Sequence, residues 1–396
     1  MNTKKKIFSV LVLSLMFISC GNPVQENSDD STTASFDIEH PEKMSFYDIF
    51  ERMDIIPLET SDNSLISGHT MHQQIVNDTL YILDRRRKIH KFDANNGKYL
   101  GQFMKSGQGP DEYVYITYFT VHPDNKTITV AEPATSRLYT FDMASEKKIR
   151  TVRISYDNAN GRFAISSFAP VNDSIYAVFS FIDSRILFYD VINGVRIGLQ
   201  DIPLHENINK TKYVAPGAVF NKINDKVILF ISYLNTIYEY QRGSFVPYIK
   251  LDLGKYGKVH EYFSTTMPRE KAIEYLFEND DKYVSFWSMP FSSKNSIVFT
   301  GLHNKKHPIL MYDTKTGEGK YAETLTEGIE IFPNIRQNGC YTYRLSQVKE
   351  LLDENHLTNE KVLDDNNLRI LSELKTDDNP VLLRAEFNLQ MQQNSD

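Results

Sequence analysis

The sequence predicts an all-β chain folded as a six-bladed β-propeller, and three observations predict it. A strand onset recurs: Asp78-Thr-Leu-Tyr-Ile-Leu is echoed at Asn125, Asn172, Asn224 and Asn295, with spacings of 47, 47, 52 and 71 residues. Each onset is followed by a second apolar strand that mostly closes on Asp, at Asp93, Asp142, Asp190 and Asp313. A strand pattern also stands near each end of the chain, around Ile55 and around Leu383. A period in the forties with several strands per unit points to propeller blades rather than a sandwich.

Composition agrees. Hydrophobic residues make up 41% of the 396, enough for a sizeable core. Tyr and Phe number 47 against a single Trp, Trp287, a balance that suits strands. Net charge is −7, and without the three leader lysines 41 basic residues face 51 acidic ones. No basic surplus exists to neutralise phosphates, so nucleic acid is not an expected partner.

In chain order, residues 1–20 read as an export leader. Lys4, Lys5 and Lys6 precede a largely apolar run from Ile7 to Ile18, too short to span a bilayer. The run ends in Phe17-Ile18-Ser19-Cys20-Gly21, which resembles a bacterial lipoprotein signal. The resemblance implies that Cys20 becomes an acylated N-terminus, anchoring the protein to a membrane leaflet without a transmembrane helix. An ordinary secretory leader with an incidental cysteine is the alternative. With Cys20 acylated, only Cys340 remains as a thiol, so the fold is not expected to depend on disulfides. Residues 21–45 are polar and read as a flexible tether, leaving 46–396 for the propeller.

The first repeat unit, Asp78 to Phe103, reads as three strands: TLYILD, KIHKFD and KYLGQF. Asn95-Asn96-Gly97 supplies the positive φ that a tight hairpin needs. Such a sheet cannot bury its apolar face alone and needs neighbours of its own kind. Five units are visible. The sixth is expected from Asp54-Ile-Ile-Pro-Leu-Glu paired with Pro380 to Leu389, which hides the last open edge. Met267 to Glu278 (with Pro268 at its start), Leu345 to Leu352 and Glu360 to Lys375 read as short helices inserted in the C-terminal half.

The segment Ile82-Leu83-Asp84-Arg85-Arg86-Arg87-Lys88-Ile89 through Phe92-Asp93 resembles the NHL-repeat pattern, with looser copies ending at Asp142 and Asp190. Gly107-Gln108-Gly109-Pro110-Asp111-Glu112-Tyr113, the leader and Asp378-Asn379-Pro380-Val381 are similar to the six-bladed propeller lipoproteins of the Bacteroides group. That resemblance implies a fold and an envelope address, on the outer membrane with surface or periplasmic exposure open. It implies no defined reaction.

No catalytic motif stands out. There is no G-x-S-x-G elbow, H-E-x-x-H, P-loop or C-x-x-C pair, and no cofactor or metal is expected. Asp93-Ala-Asn-Asn-Gly97 is faintly like a calcium loop, but lacks the distal Glu and is explained as a hairpin turn. His69 and His72 would point to opposite faces of a strand. The Gly107–Tyr113 loop could offer backbone N–H groups to an anion, but a sharp blade-to-blade connection explains it better. Lys88, Arg137 and Arg185 recur in register, five residues before the closing Asp. They could form part of a positive ring near the axis, or serve as scaffold ion pairs.

Loops between blades and between second and third strands gather at one end of a propeller. On that logic Arg85, Arg86, Arg87, Asp111, Glu112, Tyr113, Glu132, Arg137, Arg185, His303 and His307 share a face, with Tyr113 or Trp287 available for stacking. Such a face suits a glycan, a peptide or an envelope protein, which makes a binding module the first expectation. A carbohydrate lyase or hydrolase in the central funnel is the second, since loops carry function only when a scaffold positions them.

Overall fold

A computed structural model of the protein describes residues 31–68, 70–122, 124–155, 163, 165–180, 184–211, 218–223, 226–286, 291–292, 295–327, 340–343 and 362–387. Within them the strands form a propeller arrangement of five blades. Blade 1 is His72–Val76, Thr79–Leu83, Ile89–Asp93 and Tyr99–Phe103; blade 2 is Tyr118–Val121, Thr127–Glu132, Arg137–Asp142 and Lys148–Arg153. Blade 3 is Ser167–Pro170, Ile175–Ser180, Arg185–Asp190 and Val195–Asp201. Blade 4 is Ala218–Ile223, Lys226–Ile231, Thr236–Gln241 and Ser244–Asp252, and blade 5 is Ser285–Phe286, Ser296–Leu302, Ile309–Asp313 and Gly319–Ala322.

Each blade therefore has four strands, not three. The additional strand is innermost and precedes the repeated onset. The turn chemistry explains why the onset and the closing Asp recur. Asp93 accepts from the Asn95 N–H at 2.8 Å, Asp142 from Ser145 at 2.8 Å, Asp190 from Ile192 at 2.9 Å and Asp313 from Lys315 at 2.7 Å. In every case a carboxylate caps the hairpin into the outermost strand. Hydrogen bonds from the Ser145 hydroxyl and from Asn193 hold the carboxyls of Asp142 and Asp190 below the ordinary range.

The blade count differs from the six expected. The sixth place is taken by a three-stranded sheet in which Phe50–Pro57 pairs with Val381–Phe387, which pairs in turn with Cys340–Tyr343. Each end of the chain contributes one strand, and no fourth strand joins them among the described residues. The closure itself is as expected, since Ile55 lies directly opposite Leu383. Met53, Ile55, Val381 and Leu383 pack against Val298, Ile309 and Met311 of blade 5. On the other side Ile56, Leu58 and Leu382 pack against Leu80, Ile82 and Phe92 of blade 1. Four further apolar clusters fill the junctions between consecutive blades.

Polar clamps complete the closure. Buried Asn367, on the helix Asp365–Glu373, accepts from the Ile55 N–H at 2.7 Å and donates to the Met53 carbonyl at 3.0 Å. Buried Asn379 accepts from the Ile66 N–H at 2.8 Å and donates to the carbonyls of Glu59 and Ser64 at 2.7 and 2.9 Å. Gly97, at φ +73°, lets the blade 1 hairpin touch the closing strand, because a Cβ there would stand 1.9 Å from the Pro57 carbonyl oxygen.

Residues 31–45, expected to belong to the tether, instead pack on the propeller. Thr32–Ser35 is a strand that pairs in parallel with the outermost strand of blade 4, Thr32 opposite Ile249. Ala34, Phe36, Ile38 and Met44 are buried. Of the expected helices, Met267 to Glu278 is found as Arg269–Glu278 with Pro268 at its N-cap, and Glu360 to Lys375 as Asp365–Glu373. A five-residue helix, Glu206–Lys210, adds to them between blades 3 and 4. The expected helix at Leu345 to Leu352, together with Cys20, His69 and Trp287, lies outside the described residues. No described helix is long and apolar enough to cross a membrane.

Candidate functional site

The innermost strands of blades 1 to 4 converge on a cavity of about 230 Å³. Its walls are Gln74, Ile75 and Val76 from blade 1, and Tyr118, Thr120, Val121, His122 and Asn125 from blade 2. Blade 3 contributes Phe168, Ala169 and Pro170, and blade 4 contributes Phe220, Asn221, Lys222 and Val227. It opens toward the hairpins that join each innermost strand to its neighbour. The lining mixes aromatic rings with amide, hydroxyl, imidazole and ammonium groups, and none of these lining residues is a carboxylate. Seven of the fifteen lining residues carry polar side chains, so the wall is more polar than that of a typical small-molecule site and suits a polar ligand.

The walls are held by specific bonds. The Gln74 side chain accepts from the Val121 N–H at 2.8 Å, tying the innermost strand of blade 1 to that of its neighbour, blade 2. Tyr118 packs against the His72 ring at 4.2 Å and edge-on to Phe168 at 5.5 Å. His122 bonds through Nε2 to the Thr129 hydroxyl at 2.9 Å and makes a short contact with the Tyr176 hydroxyl. Thr129 in turn bonds Thr140 at 2.8 Å. Burial pushes the His122 imidazole below its ordinary pKa, so it is held neutral, and pushes the Tyr176 phenol up to about 12. This network fixes the imidazole, while Lys222 is exposed to solvent at the cavity's edge.

The expected ligand face is only partly assembled. Arg85 and Arg86 are exposed on the hairpin between the second and third strands of blade 1. Arg87 lies over the Tyr115 ring at 4.5 Å and donates to its hydroxyl at 2.6 Å. Tyr113 is 1% exposed and donates to the Arg87 carbonyl at 2.7 Å, so it is a support and cannot stack on a ligand. Burial raises its pKa far above the ordinary phenol range. Glu132 is buried beneath the same loop and accepts from Thr135, and from Tyr139 at 2.9 Å. Burial alone would raise its pKa, but these bonds and those from the N–H groups of Tyr115 and Val114 outweigh it and lower it.

The other candidates are turned elsewhere. Asp111 accepts from the Lys148 N–H at 3.0 Å, on the outermost strand of blade 2. Glu112 closes its own loop on the Gly109 N–H at 2.8 Å, and a Cβ at Gly107 would stand 2.1 Å from that carboxylate. The glycine-rich loop is a connection, and its glycines make room for Glu112. Arg185 ion-pairs with Asp201 at 2.5 Å within blade 3, and Arg137 adjoins Tyr139. With Lys88 they begin or precede third strands, away from the innermost ones, so no positive ring surrounds the axis. His303 is buried against the carbonyls of Asp280 and Tyr283 at 3.1 and 2.8 Å, and His307 contacts the Gly301 carbonyl at 3.2 Å. Both are bound into blade 5. Among the described residues no three His, Cys, Asp or Glu side chains are grouped to hold a metal.

The cavity residues escaped the sequence reading, although a signal existed. Counting back three and four residues from the onsets at Asp78, Asn125, Asn172 and Asn224 gives Ile75 and Gln74, His122 and Val121, Ala169 and Phe168, Asn221 and Phe220. All eight line the cavity.

Comparison with known proteins places the architecture. A solved structure from Bacteroides fragilis, of a protein named for its expected export, superposes with a TM-score of 0.63 at 16% identity, covering 90% of this chain and 99% of that one. A member of the DUF4221 family from Bacteroides vulgatus gives a TM-score of 0.51 at 13% identity, with 85% and 96% covered. At such identities the likeness shows the fold alone. No curated protein matches. Residues 31–386 match the family model described as Domain of unknown function (DUF4934), and the chain belongs to that family.

Proposed function

Taking membership of that family as the premise, we propose that this propeller is a binding module of the bacterial envelope, held to a membrane by a lipid on Cys20, that takes a polar ligand into the axial cavity. The leader supports the address, as does the export named for the Bacteroides fragilis protein of similar fold. A glycan fragment is the ligand class that fits best. Tyr118, backed edge-on by the buried Phe168, offers ring surface, while Asn221, Lys222 and Thr120 offer hydrogen bonds. One observation carries the reading: four blades contribute side chains to one open-mouthed, mixed aromatic and polar space.

The hydrolase alternative needs a pair of carboxyl groups flanking the scissile bond. The cavity lining has none among its residues, and the neutral His122 is committed to Thr129 and Tyr176. Binding without turnover therefore fits the lining best. A glycan array probed with the full mature protein tests it. Retention of oligosaccharides by the protein, lost in Ala169→Trp, which fills the cavity, supports the proposal. Retention unchanged by that variant, or release of reducing ends on incubation, contradicts it.

A further inference from the structure

We infer that the opposite end of the ring carries a second site, a docking surface for an acidic peptide segment of a partner protein. The innermost strand of blade 1 begins at His72, beside Met71, and ends at Val76 on the cavity wall. Arg87 reaches Met71, one terminal nitrogen standing 2.9 Å from the sulfur. The surface lies at the end of that strand away from Val76, and its use goes beyond the proposed binding of a glycan.

The hairpin that carries it is rigid. Asp84 is buried, and its carboxylate accepts from the N–H groups of Lys88 at 2.9 Å and Ser67 at 3.2 Å and contacts His90 at 3.3 Å. The Arg85 N–H donates to the Ser67 carbonyl at 3.1 Å, and the Arg87 N–H to the Asp84 carbonyl at 3.0 Å. Asp84 thus spends its oxygens on the backbone and an imidazole, not on the cations above it. Arg85, Arg86, Arg87 and Lys88 follow consecutively, and none of their side chains meets a carboxylate among the described residues. Four consecutive cations without a carboxylate partner among the described residues concentrate positive charge on one hairpin of a chain whose net charge is −7.

Apolar surface adjoins the charge. Val114 is 60% exposed and Tyr115 43%, held in place by the buried Glu132 beneath their N–H groups. The Arg87 fork is pre-oriented by its contact with Tyr115, which reduces the ordering needed to grip a carboxylate. An acidic peptide with an apolar residue satisfies both halves: carboxylates meet the arginines and the apolar side chain covers Val114. Arginine and tyrosine together are the residues that dominate protein docking sites. An acidic polysaccharide fits less well. It would leave Val114 uncovered, and one face of the Tyr115 ring is already occupied by Arg87.

The test is fluorescence anisotropy of a labelled synthetic peptide alternating glutamate and leucine, titrated with the full chain. Its counterpart carries glutamine for glutamate, and chondroitin sulfate serves as a competing polyanion. Arg85→Ala with Arg86→Ala, and separately Val114→Ser, alter exposed side chains with no structural bonds. Each is expected to weaken the glutamate peptide about tenfold while the glutamine peptide stays unbound. No binding of the glutamate peptide overturns the inference. So does binding that neither variant weakens, or chondroitin sulfate binding more tightly than the peptide through the same arginines.

Discussion

Leu383→Ala tests whether the two ends of the chain hold the ring shut. Leu383 is 5% exposed, stands opposite Ile55, and packs between the closing sheet and blade 5. The substitution removes three carbon atoms, worth about 2.4 kcal/mol in transfer free energy at about 0.8 kcal/mol for each methylene. The cavity left behind raises the cost to about 3 kcal/mol. Against a typical stability of about 5–15 kcal/mol, that is a large share. Urea unfolding followed by tyrosine and tryptophan fluorescence should show a lower midpoint with the slope unchanged, as expected when the ring unfolds as one unit. Ile55→Ala should cost a similar amount, and the double variant should cost less than the two together, because the residues touch. Leu199→Ala, on the exposed outermost strand of blade 3, is the control and should shift stability by less than about 0.5 kcal/mol. A cost for Leu383→Ala as small as the control's, or strict additivity with Ile55→Ala, would refute the argument that these strands close the ring.

Three further outcomes follow from individual contacts. Gly97→Ala should destabilise by more than about 1 kcal/mol, since the left-handed backbone and the Pro57 carbonyl both oppose a Cβ, and thermal melting checks it. Glu132→Ala should cost about 2–3 kcal/mol by leaving buried donors unpaired, and hydrogen exchange should accelerate at Val114 and Tyr115. For His122 the folded pKa lies below the unfolded one, so the folded state binds fewer protons between the two values. Its contribution is therefore present above the unfolded pKa of about 6.5 and is lost as pH falls through the folded one. Stability measured from pH 7 downward should fall less steeply in His122→Gln than in the parent, and an identical slope would remove His122 from the account.

The second and third strands of each blade were legible because their signals are local. Ile82, Leu83, Phe92 and their counterparts alternate with polar residues, and the Asp that closes each third strand caps a hairpin within its own few residues. The innermost strands were not, because one face looks into the channel and is polar. Gln74, Thr120 and Asn221 break the alternation that marks a half-buried strand. Thr32–Ser35 was read as tether because only Ala34 is apolar, and its partner strand lies more than two hundred residues away. The ligand face was inferred from loop position alone. Asp111 and Glu112 share that loop neighbourhood in sequence, but the loop turns outward and spends them on Lys148 and Gly109. The sixth blade was inferred from two strands, and the sheet they form has three.

Hydrogen–deuterium exchange of the full protein, with and without a saturating glycan selected on the array, reads the cavity most directly. Slowed exchange is expected in His72–Val76, Tyr118–Val121, Ser167–Pro170 and Ala218–Ile223, the four innermost strands around the cavity. Protection confined to outermost strands such as Val195–Asp201, with the innermost strands unchanged, would contradict it.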